Sequence, residues 1–128
     1  MPFMLLIMEP REQRSRRTPE EGRAVYGRML QFTETLQSKG ILQAVSSLRP
    51  DREGVRVTVR DGTAALVDGP YAEAKEVVGG WAIMEYPSIK DAADDQRLFA
   101  ELHAQFWPEV TVISTLRQIS TGPEAPGA

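Results

Sequence analysis

The stretch VDGPYAEAKEVVGGW, residues 67–81, differs in composition from the strand and helix patterns on either side of it. Its tripeptide DGP, which begins at Asp68, predicts a tight turn. Gly69 can adopt positive φ, the proline fixes the next φ, and the aspartate side chain can accept hydrogen bonds from the turn's own amides. The glycine pair that begins at Gly79 allows a strand to start close to another backbone. The stretch is therefore either a structural corner or the rim of a binding site.

As the rim of a site, the stretch would place Asp68 and Glu76 near an apolar cavity lined by Tyr71 and Trp81. Burial raises the pKa of a carboxylate and makes it usable as a general base at neutral pH. These two carboxylates are the predicted catalytic residues. As a structural corner, the same stretch would leave its charged side chains, Glu73, Lys75 and Glu76, solvated or paired.

Two basic residues complete the predicted site. Lys75, or Arg117 from the last strand, would hold an anionic group or stabilise an enolate. Together with Tyr71 and Trp81 they are the predicted substrate-binding residues. The chemistry would be proton transfer or elimination on a small organic acid or cyclic ketone.

The first half of the chain predicts a strand followed by a helix. FMLLIM, Phe3–Met8, is an apolar run typical of a buried strand. Thr18 caps the helix, Glu21 completes a capping box, and Gly40 provides a left-handed stop. Four apolar residues of this helix are spaced four, three and four residues apart, which puts them on one helix face: Val25, Met29, Phe32 and Leu36.

A strand and a hairpin come next. Ile41–Leu48 predicts a short strand, and Val55–Arg60 alternates strictly between valine and polar residues. Asp61 and the glycine after it give a strong hairpin signal, with Thr63–Val67 as the returning strand.

The last third predicts a strand, a helix and a strand. Gly80–Tyr86 is the first strand, Ser88 caps the helix, and Val110–Ile119 is the final strand. The helix carries its apolar residues at helical spacing, at Ala92, Phe99, Leu102 and Phe106. Its three aspartates, Asp91, Asp94 and Asp95, are interpreted as a solvated face, because no glycine-punctuated calcium loop surrounds them.

The order of elements predicts an α+β domain over residues 1–119, with a flexible tail at 120–128. Two helices cover only one face of a sheet this wide, so the other face stays apolar and exposed. A soluble monomer rarely tolerates such a patch. Dimerisation, sheet against sheet, is the simplest remedy.

Composition narrows the class of protein. The chain has 128 residues, a net charge of −3, no cysteine and one histidine. The acidic balance argues against a nucleic-acid partner, and the absence of a long apolar run argues against a membrane partner. With one histidine and no cysteine, a transition-metal site is not expected. No cofactor is predicted. A cytoplasmic protein is expected.

Two local features leave alternatives open. The arginine-rich stretch REQRSRR, residues 11–17, is read as a solvated loop or as a basic lip for an anionic ligand. His103 flanks the apolar face of the second helix, one residue after Leu102. It is read as a hydrogen-bonded or partly exposed helix histidine.

LVDGPYAEAKEVVGGW, residues 66–81, resembles the signature of the YCII-related proteins, in particular the branch named for its Asp-Gly-Pro-Phe motif. Tyr71 stands where that branch usually has phenylalanine. FMLLIM, LRP at 48–50, FAELHAQFWPE and LRQI are similar to other segments of the family. The resemblance implies a ferredoxin-like fold that pairs into a dimeric α/β barrel.

The resemblance implies little about function. Relatives in the wider superfamily are thought to be enzymes, one of them a dehydrochlorinase, with a proposed catalytic histidine–aspartate pair. That histidine belongs in the first helix region, where this chain has none, so the pair is not carried over. Genes of the branch often neighbour alternative sigma factors. Two hypotheses follow: a small-molecule enzyme or binder, and a non-enzymatic regulatory homodimer.

Overall fold

The computed structural model describes residues 1–71 and 74–120. Glu73 and the predicted tail from residue 121 onward lie outside the described residues. The elements in chain order are β1 (Pro2–Pro10), α1 (Pro19–Ser38), β2 (Leu42–Ser47), β3 (Val55–Arg60), β4 (Thr63–Asp68), β5 (Glu76–Glu85), α2 (Ile89–Phe106) and β6 (Ile113–Gln118). Short 3₁₀ turns span Gln13–Arg16 and Asp51–Glu53.

Four strands form one antiparallel sheet in the order β2-β5-β1-β6. On the central strand β1, Leu5 lies opposite Ala82 of β5 and Leu116 of β6. The core joins these strand residues to Leu36 of α1 and Ala92 of α2, so both helices pack on the same face. This strand order with both helices on one face is the predicted ferredoxin-like α+β fold.

The helix limits agree with the capping signals in the sequence. The Thr18 side chain accepts a hydrogen bond from the backbone of Glu21, and the Glu21 side chain accepts one from the backbone of Thr18. Gly40 has a φ of 73° just after α1 ends. Ser88 caps α2 through the backbone N–H of Asp91. Side chain to backbone bonds within three residues are local, which is why the sequence predicts them.

The open face of the sheet is apolar, as the sequence predicts. Met4 and Leu6 alternate with the buried Phe3 and Leu5, and therefore point away from the helices. Met4 lies opposite Ile83, and Leu6 lies opposite Trp81. These side chains are half-buried in the single chain.

Strands β3 and β4 form a separate two-stranded hairpin. Asp61 and Gly62 both have positive φ, 52° and 75°, which suits the predicted tight turn. The strands carry exposed apolar residues on one face, namely Val57 at 63%, Val59 at 71% and Leu66 at 67% exposure.

The predicted limits of two strands are wrong. β5 begins at Glu76 rather than Gly80, so the glycine pair lies inside the strand. Glycine suits both positions because neighbouring atoms leave little room for a side chain. An added Cβ on Gly80, for example, would lie 3.1 Å from the Ser46 carbonyl oxygen. β6 is shorter than expected and starts at Ile113.

Candidate functional site

The side chains of the two predicted catalytic carboxylates are exposed to solvent. Asp68 is the last residue of the exposed strand β4, and Glu76 is the first residue of β5. Lys75 is also exposed, and its backbone carbonyl accepts a hydrogen bond from the Arg11 amide at 3.1 Å. None of the three side chains lines either of the two cavities described below. The role of Asp68 and Glu76 in catalysis stays a prediction.

Tyr71 braces the turn that precedes β5. Its backbone N–H donates to Asp51 Oδ2 at 3.3 Å, and the Arg56 guanidinium lies 4.1 Å from its ring centroid. The half-buried ring is therefore held between the hairpin and the 3₁₀ turn at Asp51–Glu53. Its contacts are those of a packing residue.

Gly69 does not use the positive φ that is open to it, since only Gly40 and Gly62 among the described glycines have positive φ. Gly69 is required for a different reason. A Cβ there would overlap the backbone carbonyl of Asp51, and the Gly69 amide donates to the Gly54 carbonyl at 2.9 Å. The Gly69–Pro70 peptide bond is cis. The turn is thus packed directly against another backbone segment.

Trp81 and Arg117 both lie on the open face of the sheet. Trp81 is opposite Leu6, and Arg117 is opposite Met4, and residues directly opposite in an antiparallel pair share a face. The half-buried Trp81 and the exposed Arg117 are separated by β1 and do not meet the motif carboxylates. The six predicted site residues therefore fall into two separate groups.

A cavity of about 370 Å³ lies instead between α1 and the helix-covered face of the sheet. This volume falls in the range of small-molecule sites, roughly 300–1,000 Å³. Most of its wall is apolar, with Leu5 and Ile7 of β1, Val25, Met29 and Phe32 of α1, and Phe99 of α2.

Glu9 and Arg14 form a fixed ion pair at one end of the cavity. Arg14 Nε lies 2.9 Å from Glu9 Oε1, and the two Arg14 Nη atoms donate to the carbonyls of Leu48 at 2.8 Å and Gly79 at 2.6 Å. A Cβ on Gly79 would lie 2.6 Å from Glu9 Oε1, so this glycine makes room for the pair. Because each of its three guanidinium nitrogens already has a partner, Arg14 acts as a brace between strands.

Arg17 lies at the same end of the cavity as Arg14, and its surroundings differ from those of Arg14. Its guanidinium is 5.3 Å from the ring centroid of the buried Trp107, and the part of the chain that the structure describes gives it no carboxylate partner. A second surface depression shares Arg14 and Arg17 with the cavity and adds Arg23. The reading of residues 11–17 as a solvated loop is therefore wrong for Arg14 and Arg17, which line the cavity.

His103 also lines the cavity. Its Nδ1 lies 3.0 Å from the Phe99 carbonyl oxygen, which fixes the hydrogen on Nδ1 and leaves Nε2 as an acceptor. Burial lowers the pKa of His103, and the nearby Arg17 lowers it further, against the opposing effects of the Phe99 carbonyl and Glu9. The expected hydrogen-bonded helix histidine is confirmed, and its free nitrogen is a candidate general base.

Two buried glutamines line the cavity and are missed by the sequence analysis: Gln13, whose amide is paired with the Thr111 backbone through both Nε2 and Oε1, and Gln96. Gln96 is 5% exposed and lines the cavity, yet only its Nε2 has a partner, the Met84 sulfur at 3.7 Å. Its Oε1 is buried with no hydrogen-bond partner among the described residues. The spacing of Gln96, Phe99 and His103, three and then four residues apart, puts all three on one helix face and is the signal that identifies them.

Within residues 1–71 and 74–120, no group of three or more acidic or histidine side chains is arranged to hold a metal ion. Asp95 accepts a hydrogen bond from Tyr86 Oη at 2.7 Å, so its interpretation as part of a solvated face is wrong. No described helix is long and apolar enough to cross a membrane.

Comparison with known proteins gives the family. No curated protein matches the chain. One similar solved structure is 5-chloro-2-hydroxyhydroquinone dehydrochlorinase (TftG) from Burkholderia phenoliruptrix AC1100, in complex with 2,5-dihydroxybenzoquinone. It is 18% identical, with 95% of this chain and 96% of that chain covered and a TM-score of 0.44. The narrower Asp-Gly-Pro-Phe branch stays a prediction from the motif. The model of the YCII-related domain matches residues 1–112, and the chain therefore belongs to the YCII-related family.

Proposed function

We propose that this chain is a small-molecule-binding protein whose ligand lies in the cavity between α1 and the sheet. The observation that carries the proposal is that Arg17 and His103, close enough for the charge of Arg17 to lower the pKa of His103, both line an apolar cavity of about 370 Å³. Apolar walls with a few convergent polar groups are the usual composition of a ligand site.

The two polar groups suit acid–base chemistry on a compact organic anion. Arg17 lacks a carboxylate partner among the described residues and would hold the anionic group of the ligand. The lowered pKa of His103 keeps its imidazole neutral near pH 7, so that Nε2 would accept a proton from the ligand. The reaction class is proton transfer or elimination on a small organic acid or cyclic ketone.

The predicted roles of Asp68 and Glu76 can be separated from this proposal. Both side chains are exposed, and neither lines the cavity. If they act in catalysis, the motif would have to reach the ligand from outside the cavity. Variants at Glu76 therefore test a different site from variants at His103.

A non-enzymatic dimer is the second candidate function. It is favoured by the apolar open face around Leu6 and Trp81 and by the exposed hairpin residues Val57 and Val59. A contiguous exposed apolar patch is typical of an interface, so the open face would meet a second copy of the chain. The link to an alternative sigma factor rests on the family resemblance alone.

Ligand-observed NMR with a set of small organic acids and cyclic ketones tests the first proposal. Val25→Phe would fill the cavity from α1, where Val25 is 4% exposed, and should abolish binding. Val57→Phe, the same change on the exposed hairpin, is the matched control and should leave binding unchanged. Equal binding by both variants would show that the cavity is not the site.

Arg17→Met tests the anion-binding role. It should weaken the binding of an acid by roughly 10- to 100-fold, the range expected for a hydrogen bond to a charged group. Arg28→Met is the matched control, because Arg28 makes a similar stack, 5.1 Å from the ring centroid of Phe106, and does not line the cavity.

A further inference from the structure

The buried amide of Gln96 is incompletely hydrogen-bonded. Its Oε1 has no partner among the described residues, and its Nε2 has only the Met84 sulfur, a weak acceptor, at 3.7 Å. Turning the amide over would exchange the atoms and leave an N–H group unpaired instead. Buried polar side-chain atoms in proteins are rarely left without a partner. Gln96 lines the cavity, so a donor that enters the cavity and reaches Oε1 would satisfy it.

Gln96 lies away from the basic end of the cavity, along α2. Gln96 and His103 lie seven residues apart on one face of α2, which is about 10 Å along the helix axis. Phe99 lies between them, and the facing wall on α1 is apolar, with Met29 and Phe32. The cavity thus has a neutral acceptor toward one end, an apolar middle, and a basic group near His103.

The basic end is set by Arg17. Among the described residues it stacks on Trp107 without a carboxylate partner, whereas each guanidinium nitrogen of the neighbouring Arg14 has a partner, either Glu9 or a backbone carbonyl. Arg23 adds positive charge to the adjoining depression, although the whole chain has a net charge of −3. A negative group on the ligand is favoured at this end only.

We infer that the ligand is a hydroxylated carboxylic acid with a single ring, whose hydroxyl binds Gln96 and whose carboxylate binds Arg17. This inference rests on the proposed function. The hydroxyl donates to the unpaired Oε1, the ring fills the apolar middle beside Phe99, and the carboxylate faces the guanidinium. Gln96 is the residue that selects the hydroxyl.

Four commercial ring compounds serve as probes: 4-hydroxybenzoate, benzoate, 4-methylbenzoate and 4-hydroxybenzyl alcohol. Titration by NMR should show 4-hydroxybenzoate binding about tenfold more tightly than benzoate or 4-methylbenzoate, the effect of one good hydrogen bond. The side-chain amide signal of Gln96 should shift with 4-hydroxybenzoate and not with benzoate. These measurements on the unmodified protein need no variant to fold.

Gln96→Met keeps the size and the apolar stem of the side chain and removes the amide. It should abolish the advantage of 4-hydroxybenzoate, while benzoate binds at least as tightly as before. Gln105→Met, at an exposed glutamine of the same helix, is the control and should preserve the advantage. Arg17→Met should weaken the binding of all three acids and leave the binding of 4-hydroxybenzyl alcohol unchanged.

The outcomes separate this inference from the proposed function. If the acids bind, Val25→Phe abolishes their binding, and the hydroxyl gives no advantage, the cavity is a ligand site and the role of Gln96 is refuted. If none of the four probes binds at millimolar concentration while other acids from the wider set do, the ligand class is refuted. If Val25→Phe leaves acid binding intact, the proposed function itself is refuted.

Discussion

Substitution of Gly69 by alanine tests whether the turn at residues 68–71 is a packed structural corner. The methyl group of the new residue would overlap the Asp51 carbonyl oxygen and would lie 2.8 Å from its carbonyl carbon and 3.2 Å from Arg52 Cα. These neighbours are backbone atoms, which cannot rotate away as a side chain would. The turn and the 3₁₀ segment at Asp51–Glu53 must therefore separate.

The expected cost follows from the contacts that this separation breaks. Two hydrogen bonds cross the boundary, Gly69 N–H to the Gly54 carbonyl at 2.9 Å and Tyr71 N–H to Asp51 Oδ2 at 3.3 Å. Their loss costs about 2–3 kcal/mol in total, and residual backbone strain adds about 1 kcal/mol. The stiffer unfolded chain offsets about 0.5–1 kcal/mol. Gly69→Ala should therefore lower the free energy of unfolding by about 2–3 kcal/mol.

Chemical denaturation measures this change. Gly27→Ala is the control, since a Cβ at Gly27 in α1 meets nothing within 4 Å and should raise stability by about 0.5–1 kcal/mol. A Gly69→Ala protein within about 0.5 kcal/mol of the parent would refute the argument from close approach. In the folded fraction, ligand affinity should be unchanged, because Gly69 does not line the cavity. A loss of affinity there would assign the motif to the binding site.

Three further predictions follow from the same structure. Burial lowers the pKa of His103 in the folded chain, so as pH falls the unfolded chain binds the proton first. The stabilising contribution of neutral His103 is therefore present above the ordinary pKa of 6.5 and is lost as pH falls below it. In thermal unfolding, the stability difference between the parent and His103→Gln should shrink from about pH 8 to about pH 5. Burial and the Asp95 hydrogen bond raise the pKa of Tyr86 above its ordinary value of 10.0, so stability should fall as pH rises past 10, and Tyr86→Phe should remove that alkaline loss. Because Glu76 is exposed, Glu76→Gln should change the free energy of unfolding by no more than about 0.5 kcal/mol. Loss of turnover in this variant would support the predicted catalytic role of Glu76, and full turnover would count against that role.

The fold could be predicted from the sequence because its signals are local. Capping residues, the Asp61 turn and the alternation of Val55–Arg60 each act within a few residues, and the structure has all of them in place. The apolar open face also follows from pattern, since two helices cover only one side of the sheet. By contrast, the start of β5 could not be predicted, because Gly79 packs against Glu9 and Arg14 and Gly80 packs against Ser46, and all three are distant in the chain.

The cavity could not be predicted because its wall is assembled from segments that are far apart in the sequence. Arg17 follows a 3₁₀ turn, His103 lies on α2, and Val25 lies on α1. The composition of the arginine-rich stretch at residues 11–17 is typical of a solvated loop. Its contacts with Trp107 and with the carbonyls of Leu48 and Gly79 become visible only when the chain is folded.

The position of His103 changes what the family resemblance implies for this chain. The resemblance places a catalytic histidine in the first helix region, and this chain has none there. The cavity, however, lies between α1 and the sheet and is also bordered by α2, which supplies His103 with a free Nε2. The absence of a histidine in α1 therefore does not remove acid–base capacity from the cavity. His103→Gln should consequently abolish any proton transfer observed with a bound acid while preserving its binding through Arg17, whereas undiminished turnover would exclude His103 as the base.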